Sequence, residues 1–261
     1  MYKVLTIAGS DCSGGAGIQA DIKTITAHGM YAMSAITSLT AQNTTGVYGV
    51  YDSTPEFLAS QLDCIFNDIE PDAVKIGMVS DKELINIIAK KLREYKAKNV
   101  VLDPVMVATS GSKLLKDDAI DALVNELMPV ARLITPNLGE AGALLGREIK
   151  TVDEMRIAAK ELGEKYSCGV LVKGGHLDEK ATDVLFDRDK FFEFTSERVH
   201  TKNTHGTGCT LSSAIACNIA KGCSLEESVK NAKDYLTGAL KAGLDLGKGN
   251  GPVNHCYKIG D

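Results

Sequence analysis

KVLTIAGSDCSGGAGIQADIKTITAHGMYAMSAITSL, residues 3–39, decides the fold class. Val4 to Ala8 is a short apolar run, and Gly9 to Gly17 is a glycine-rich turn. Ile18, Ile22 and Ile25 then share one helical face, His28-Gly29 closes that helix, and Ala32 to Leu39 is apolar again. Two runs apolar on both faces, joined through a helix, are the pattern of buried parallel strands with a crossover. The pattern repeats outward. Ala73 to Ile76, Val100 to Leu102, Ala131 to Thr135 and Val170 to Val172 read as further strands. Leu84, Ile85, Ile88 and Leu92 mark one helix between them. Leu225, Val229, Ala232, Leu236 and Leu240 mark another, entered from Ser224 as N-cap with Glu227 in the capping-box position. Alternating strands and helices predict an α/β chain with a mostly parallel sheet covered on both faces.

Two segments break the alternation. Gln42 to Ser53 contains Gly46 and Gly49 and predicts a small β hairpin or flap. Asp183 to Val199 predicts a second hairpin turning on Asp187-Arg188-Asp189-Lys190. No linker, repeat or low-complexity stretch divides the 261 residues, so residues 1–261 are expected to form a single domain.

Composition narrows the classes of function. With 44% hydrophobic and 24% charged residues the chain is ordinary globular protein. A net charge of −5 without a basic run argues against nucleic-acid binding. The N-terminal apolar run is too short for a signal peptide or a membrane span. Seven scattered cysteines without CxxC spacing point to reduced thiols in the cytoplasm rather than disulfides or zinc.

The sharpest chemical signal is Asn203-Thr204-His205-Gly206-Thr207-Gly208-Cys209-Thr210, followed by small, helix-compatible residues. Gly206 and Gly208 expose successive N–H groups at a helix start, a preorganised pocket for charge on a transferred phosphoryl group. Cys209 falls in the first turn, where the helix dipole is expected to lower the thiol pKa. The glycine-rich loop at residues 9–17 is neither GxGxxG nor a Walker A loop, and reads as a ligand-contacting turn of unspecified ligand. Four strand ends carry polar residues, at Lys75-Ile76-Gly77-Met78, Asp103-Pro104-Val105-Met106, Thr135-Pro136-Asn137-Leu138-Gly139-Glu140 and Lys173-Gly174-Gly175-His176. In open parallel sheets such ends line a common crevice. Asn137 and Glu140 fit two readings, a helix capping box or a pair orienting hydrated Mg2+. His28 suits a helix end, and the Lys90 to Lys98 charges suit a solvated helix face.

Together these segments resemble the hydroxymethylpyrimidine and phosphomethylpyrimidine kinases of thiamine synthesis, in the ribokinase-like superfamily. The resemblance runs nearly the whole length. It rests on residues 8–21, SLTAQNTTGV (38–47), KIGMV (75–79), LDPVMVATSG (102–111), TPNLGEA (135–141), VKGGH (172–176) and residues 203–216. It implies a three-layer α/β/α sandwich, an ATP- and Mg2+-dependent enzyme, a small pyrimidine substrate and a homodimer. Carried over, it places Gln42 on the aminopyrimidine edge, with Asp21 and Met78 shaping that pocket. Gly206, Thr207 and Gly208 become the anion hole, and Cys209 stands where many ribokinase-like enzymes carry an Asp base. Asp103, Asn137 and Glu140 fall on the phosphate and magnesium side, with Lys173 and Thr201 near the nucleotide. Cys12 departs from the motif, in which Ser is expected, and raises the prospect of an oxidative pairing with Cys209. Two rival readings stand beside this one. They are a pyridoxal kinase on the same scaffold, against which the Ala41-Gln42-Asn43 context argues, and a nucleotide-binding protein without catalysis.

Overall fold

The computed structural model describes residues 1–106, 117–175 and 180–259. Residues 107–111 of one motif and His176 of another therefore lie outside the described residues.

Among the described residues, nine strands form one sheet in the order β3-β2-β1-β4-β5-β6-β7-β8-β9. They are β1 (Lys3–Asp11), β2 (Tyr31–Asn43), β3 (Gly46–Asp52), β4 (Ala73–Ile76), β5 (Val100–Leu102), β6 (Leu133–Ile134), β7 (Gly169–Gly174), β8 (Lys180–Asp187) and β9 (Lys190–Glu197). β2, β1, β4, β5, β6 and β7 pair in parallel, while β3, β8 and β9 join antiparallel at the two edges. The eight α-helices among the described residues are α1 (Gly17–Ala27), α2 (Pro55–Asp68), α3 (Lys82–Glu94), α4 (Asp117–Ala122), α5 (Leu138–Leu145), α6 (Val152–Tyr166), α7 (Thr207–Ala220) and α8 (Leu225–Lys241).

The strand residues explain why there are two helical layers. Leu5, Ile7, Val74, Ile76, Val100, Leu102, Val170 and Val172 pack into one core with side chains of α2 to α6. Their neighbours Val4, Ala73, Val101, Leu133 and Leu171 pack into a second core with α1, α7 and α8. A strand alternates its side chains between faces, so runs apolar at every position need a helix layer on each side. The result is the three-layer α/β/α sandwich that the resemblance implies, its sheet covered on both faces as the alternation predicts.

Both expected hairpins form. β8 and β9 turn on Arg188 and Asp189, which adopt φ of 48° and 65°, the left-handed pair of a tight two-residue turn. The flap expected from Gln42 onward is not a separate unit, because β2 runs continuously from the sheet into its pairing with β3. β6 is shorter than its sequence run, since a 3-10 turn at Met128–Val130 and Pro136 crowd its ends.

The direction in which successive strands are added to the sheet reverses between β1 and β4, which themselves run parallel. β1 connects outward to β2 on one side, and the chain then crosses to β4 on the other side. At such a switch point the loops after neighbouring strands diverge and leave a crevice at their carboxyl ends.

Candidate active site

A cavity of about 910 Å³ opens at that edge of the sheet. One wall is made where two helices begin. α7 is entered through Gly206, whose φ is 79°. A Cβ there would lie 1.9 Å from the Gly15 carbonyl oxygen, so only glycine fits. The Gly15 loop is itself held by Asp11, whose carboxylate accepts from the Ser13, Gly15 and Ala16 amides at 2.9, 3.1 and 2.9 Å. The first amides of α7 have no partner inside the helix, and the first such bond is made by Thr210 to the Gly206 carbonyl. The Gly208 and Cys209 amides are thus available at the positive end of the helix dipole.

Opposite these amides stand the ends of β5, β6 and β7. Lys173 donates to Asp103 Oδ1 at 2.8 Å, and Thr135 donates to the same oxygen at 3.1 Å. A Cβ on Gly208 would lie 3.2 Å from Asp103 Oδ2 and 3.5 Å from Lys173 Nζ. The helix start and the buried ion pair therefore share one small space. Burial works against the Lys173 charge, but Asp103 and Glu140 outweigh it and raise its pKa. Glu140 is pushed by burial up to about 7, against the pull of Lys173.

Gln42 and Met78 line another part of the cavity. β2 carries one extra residue relative to β1 between Ile36 and Leu39. Buried positions are odd-numbered up to Thr37 and even-numbered from Ser38, so Thr40 and Gln42 face inward. Such bulges commonly re-aim a side chain beside a site. The Cys12 thiol donates to the Gln42 carbonyl at 3.1 Å and accepts from the Gln42 amide at 3.3 Å. His205 lies 2.8 Å from Asp11 Oδ2 and 3.4 Å from the Gln42 side-chain amide. Burial pushes the Asp11 carboxyl up, but hydrogen bonds from His205 and Ser13 prevail and bring it down to about 2.

Beneath the cavity floor is a second ion pair. Lys75 and Asp21 are both fully buried and meet at 2.8 Å. Asp21 also accepts from Thr6 at 2.6 Å and from Ser213 at 2.8 Å. The network joins α1, β1, β4 and α7. A third arm of the cavity runs past Thr201 to Lys233, Leu236 and Leu240 of α8. Lys233 is tied there to Asp183 at 2.6 Å.

Comparison with known proteins matches residues 11–254 to the model of the phosphomethylpyrimidine kinase family. The chain belongs to this family. It is 50% identical over 258 residues to the hydroxymethylpyrimidine/phosphomethylpyrimidine kinase of Rhizobium meliloti, covering 97% of each chain. It is also 50% identical over 259 residues to a thiamine biosynthesis bifunctional protein of Geobacter sulfurreducens, which covers 99% of this chain but 53% of that protein. The chain spans about half the length of that bifunctional relative. Among solved structures, an ADP complex of Bacillus subtilis pyridoxal kinase superposes with a TM-score of 0.92 at 40% identity, covering 99% of both chains.

In this phosphomethylpyrimidine kinase family member the candidate residues come together with one exception. Gly206, Thr207, Gly208, Cys209, Gln42, Met78, Lys173, Thr201, Asp103, Asn137 and Glu140 all line the cavity. Asp21 does not; it sits under the floor, paired with Lys75. Lys75 was expected at the crevice and is instead fully buried. Asn137 and Glu140 do form a capping box on α5, each side chain accepting from the other's amide at 2.9 and 2.8 Å.

The expectation for Cys209 is overturned as well. The Cys209 thiol was expected to be lowered by the helix start. Burial instead pushes it up to about 11, and the opposing pull of Lys75 and of the Gly17 amide is too small to reverse that. The sequence reading also missed the Asp11–His205 pair. Asp11-Cys12-Ser13-Gly14 has the composition of a side-chain-capped turn, which was the available signal for Asp11. Nothing local marks His205 as its partner, 194 residues away.

Proposed function

We propose that the chain phosphorylates 4-amino-5-hydroxymethyl-2-methylpyrimidine, and then its monophosphate, from ATP in thiamine biosynthesis. The observation that carries the reading is the joining, in one cavity, of the amide-bearing Gln42 wall with the α7 helix start facing Asp103 and Lys173. An aminopyrimidine edge needs a donor and an acceptor side by side, which one carboxamide supplies. A transferred phosphoryl group needs charge stabilisation more than covalent help.

In this reading Gln42 and Met78 hold the ring, and the Gly206-Thr207-Gly208 turn cradles the phosphoryl oxygens. Lys173 balances their charge, and Thr201 belongs to the nucleotide arm. Cys209, with its thiol at about 11, is neutral at pH 7. It contacts the reacting hydroxyl as a weak hydrogen-bonding group rather than as a charged base. Among the described residues no cluster of three His, Cys, Asp or Glu could cage a metal. That fits Mg2+, which is commonly held by one or two carboxylates together with phosphates. Glu140, Asp103 and Asn137 would hold it, and when bound it would neutralise charge between the nucleotide phosphates.

A pyridoxal kinase activity is the second reading, motivated by the close superposition on the Bacillus subtilis enzyme. The assay is ADP release with ATP and Mg2+, offering the hydroxymethylpyrimidine, its monophosphate and pyridoxal in parallel. Turnover of both pyrimidines with pyridoxal much slower is expected, and preference for pyridoxal would reassign the Gln42 wall. Binding of ATP without any turnover would favour the non-catalytic reading. We further read residues 1–261 as one kinase domain, cytoplasmic on the strength of seven free thiols. We read it as a homodimer on the strength of exposed Tyr48, Val50 and Tyr51 on the edge strand β3. Sedimentation of the full chain tests the latter.

A further inference from the structure

The Gln42 side-chain amide has two neighbours whose hydrogens are already assigned. In the structure Gln42 Oε1 lies 3.2 Å from Thr40 Oγ1 and Gln42 Nε2 lies 3.4 Å from His205 Nε2. Thr40 Oγ1 donates its single hydrogen to the Ser10 carbonyl at 2.9 Å, so it offers Gln42 a lone pair. His205 Nε2 lies 2.8 Å from Asp11 Oδ2. An ionised carboxylate only accepts, so this ring nitrogen carries a hydrogen, in the neutral ring and the charged one alike. It cannot accept from an amide N–H. A half turn of a carboxamide exchanges its oxygen and nitrogen, and the partners decide between the two orientations. Both neighbours select the half-turned amide, the reverse of the recorded placement, with the oxygen toward His205 and the nitrogen toward Thr40.

We propose that the Asp11–His205 pair and Thr40 lock the Gln42 amide in this orientation, making His205 a positioning residue that decides which hydrogen-bonding edge of a heterocycle the cavity accepts. The proposal rests on the reading that Gln42 binds the substrate ring. With its two neighbours satisfied, the amide keeps one oxygen lone pair and one N–H for a ligand. An aminopyrimidine matches them with its amino hydrogen and its adjacent ring nitrogen. The oxo analogue, in which oxygen replaces the amino group and the ring nitrogen bears hydrogen, presents the reverse order. Accepting it requires the amide to turn over, which sets hydrogen against hydrogen at His205 and lone pair against lone pair at Thr40. Mispaired buried polar groups of this kind support discrimination of about a hundredfold or more.

The experiment compares kcat/KM for the amino and oxo hydroxymethylpyrimidines in the parent enzyme, His205→Phe and Thr40→Val. Both replacements keep approximate shape and remove the polar partner. The parent should prefer the amino substrate by about a hundredfold. Each variant should lose at least about tenfold of that ratio, with KM for ATP within about twofold of the parent. A merely structural role would slow both substrates together and leave the ratio standing. A ratio within about twofold of the parent in the folded variants overturns the proposal. Melting curves establish folding, and Thr40→Val decides if His205→Phe does not fold. Gln42→Ala separates the levels of the argument. If it leaves the pyrimidine KM and the ratio unchanged, the substrate reading of Gln42 itself has failed.

Discussion

Replacing Gly206 by Ala should abolish most activity for a reason that can be separated from backbone strain. Gly206 has φ of 79° and Gly222, at the far end of α7, has φ of 89°. An alanine at either position carries the left-handed penalty of about 1–2 kcal/mol. The surroundings differ completely. A Cβ at Gly222 meets nothing within 4 Å, whereas at Gly206 it lies 1.9 Å from the Gly15 oxygen and 2.9 Å from the Gly15 carbonyl carbon. Real contacts stay above 3.0 Å, so the loops at residues 9–17 and 203–208 must part by roughly 1 Å. A displacement of that size at donors aimed at transferring charge costs on the order of a hundredfold or more in rate. Gly222→Ala should therefore lower the melting temperature by about 2–4 °C per kcal/mol and keep kcat within about twofold of the parent. Gly206→Ala should lower kcat about a hundredfold at saturating ATP and pyrimidine. The assay is coupled ADP release, with melting curves for both variants. If folded Gly206→Ala turns over within about threefold of Gly222→Ala, the α7 start is not the phosphoryl site and the reasoning fails.

Three other outcomes are expected. Cys209→Ala should retain measurable kcat, well above that of Gly206→Ala, because a thiol at about 11 supplies no charged base at pH 7; complete loss in single-turnover assays would contradict this. Glu140 is raised from 4.5 to about 7, so the folded chain keeps a proton that the unfolded chain has released between those pH values. Stability then falls as pH rises across that window, and Glu140→Gln should flatten the fall in urea melts without Mg2+. Lys75→Met should destabilise by about 3–5 kcal/mol by leaving Asp21 buried and unpaired. Adding Asp21→Asn should restore part of that loss in the same denaturation curves.

The sequence made some levels legible and hid others. β4 and β5 coincide with their apolar runs because short, fully buried strands have no polar edge to blur them. The start of α8 was legible for a related reason, since Ser224 and Glu227 form a local capping box. The α7 turn and the ends of β5, β6 and β7 were legible as site components because each keeps its chemistry in a few consecutive residues. Asn137 and Glu140 supported two readings because one pair of side chains can cap a helix and still face a cavity. Lys75 and His205 were misjudged or missed because their partners, Asp21 and Asp11, lie 54 and 194 residues away. The Cys209 thiol went the wrong way because a helix start is visible in a sequence and the depth of burial around it is not.

The extra residue of β2 makes the wall that holds Gln42 a question of length as much as of identity. Were β2 to pair with β1 at its present length without that bulge, strict alternation would run on from Thr37. Leu39 and Ala41, now turned outward, would take over the inner positions, and the hydroxyl of Thr40 and the amide of Gln42 would leave for solvent. A hydrogen-bonding wall would become an aliphatic one without replacing a single side chain. Deleting one residue between Ile36 and Leu39 has the opposite outcome, since it removes the bulge and leaves Thr40 and Gln42 facing inward. Strand length and bulge together therefore decide which class of ring this scaffold can hold while the phosphoryl end stays as it is.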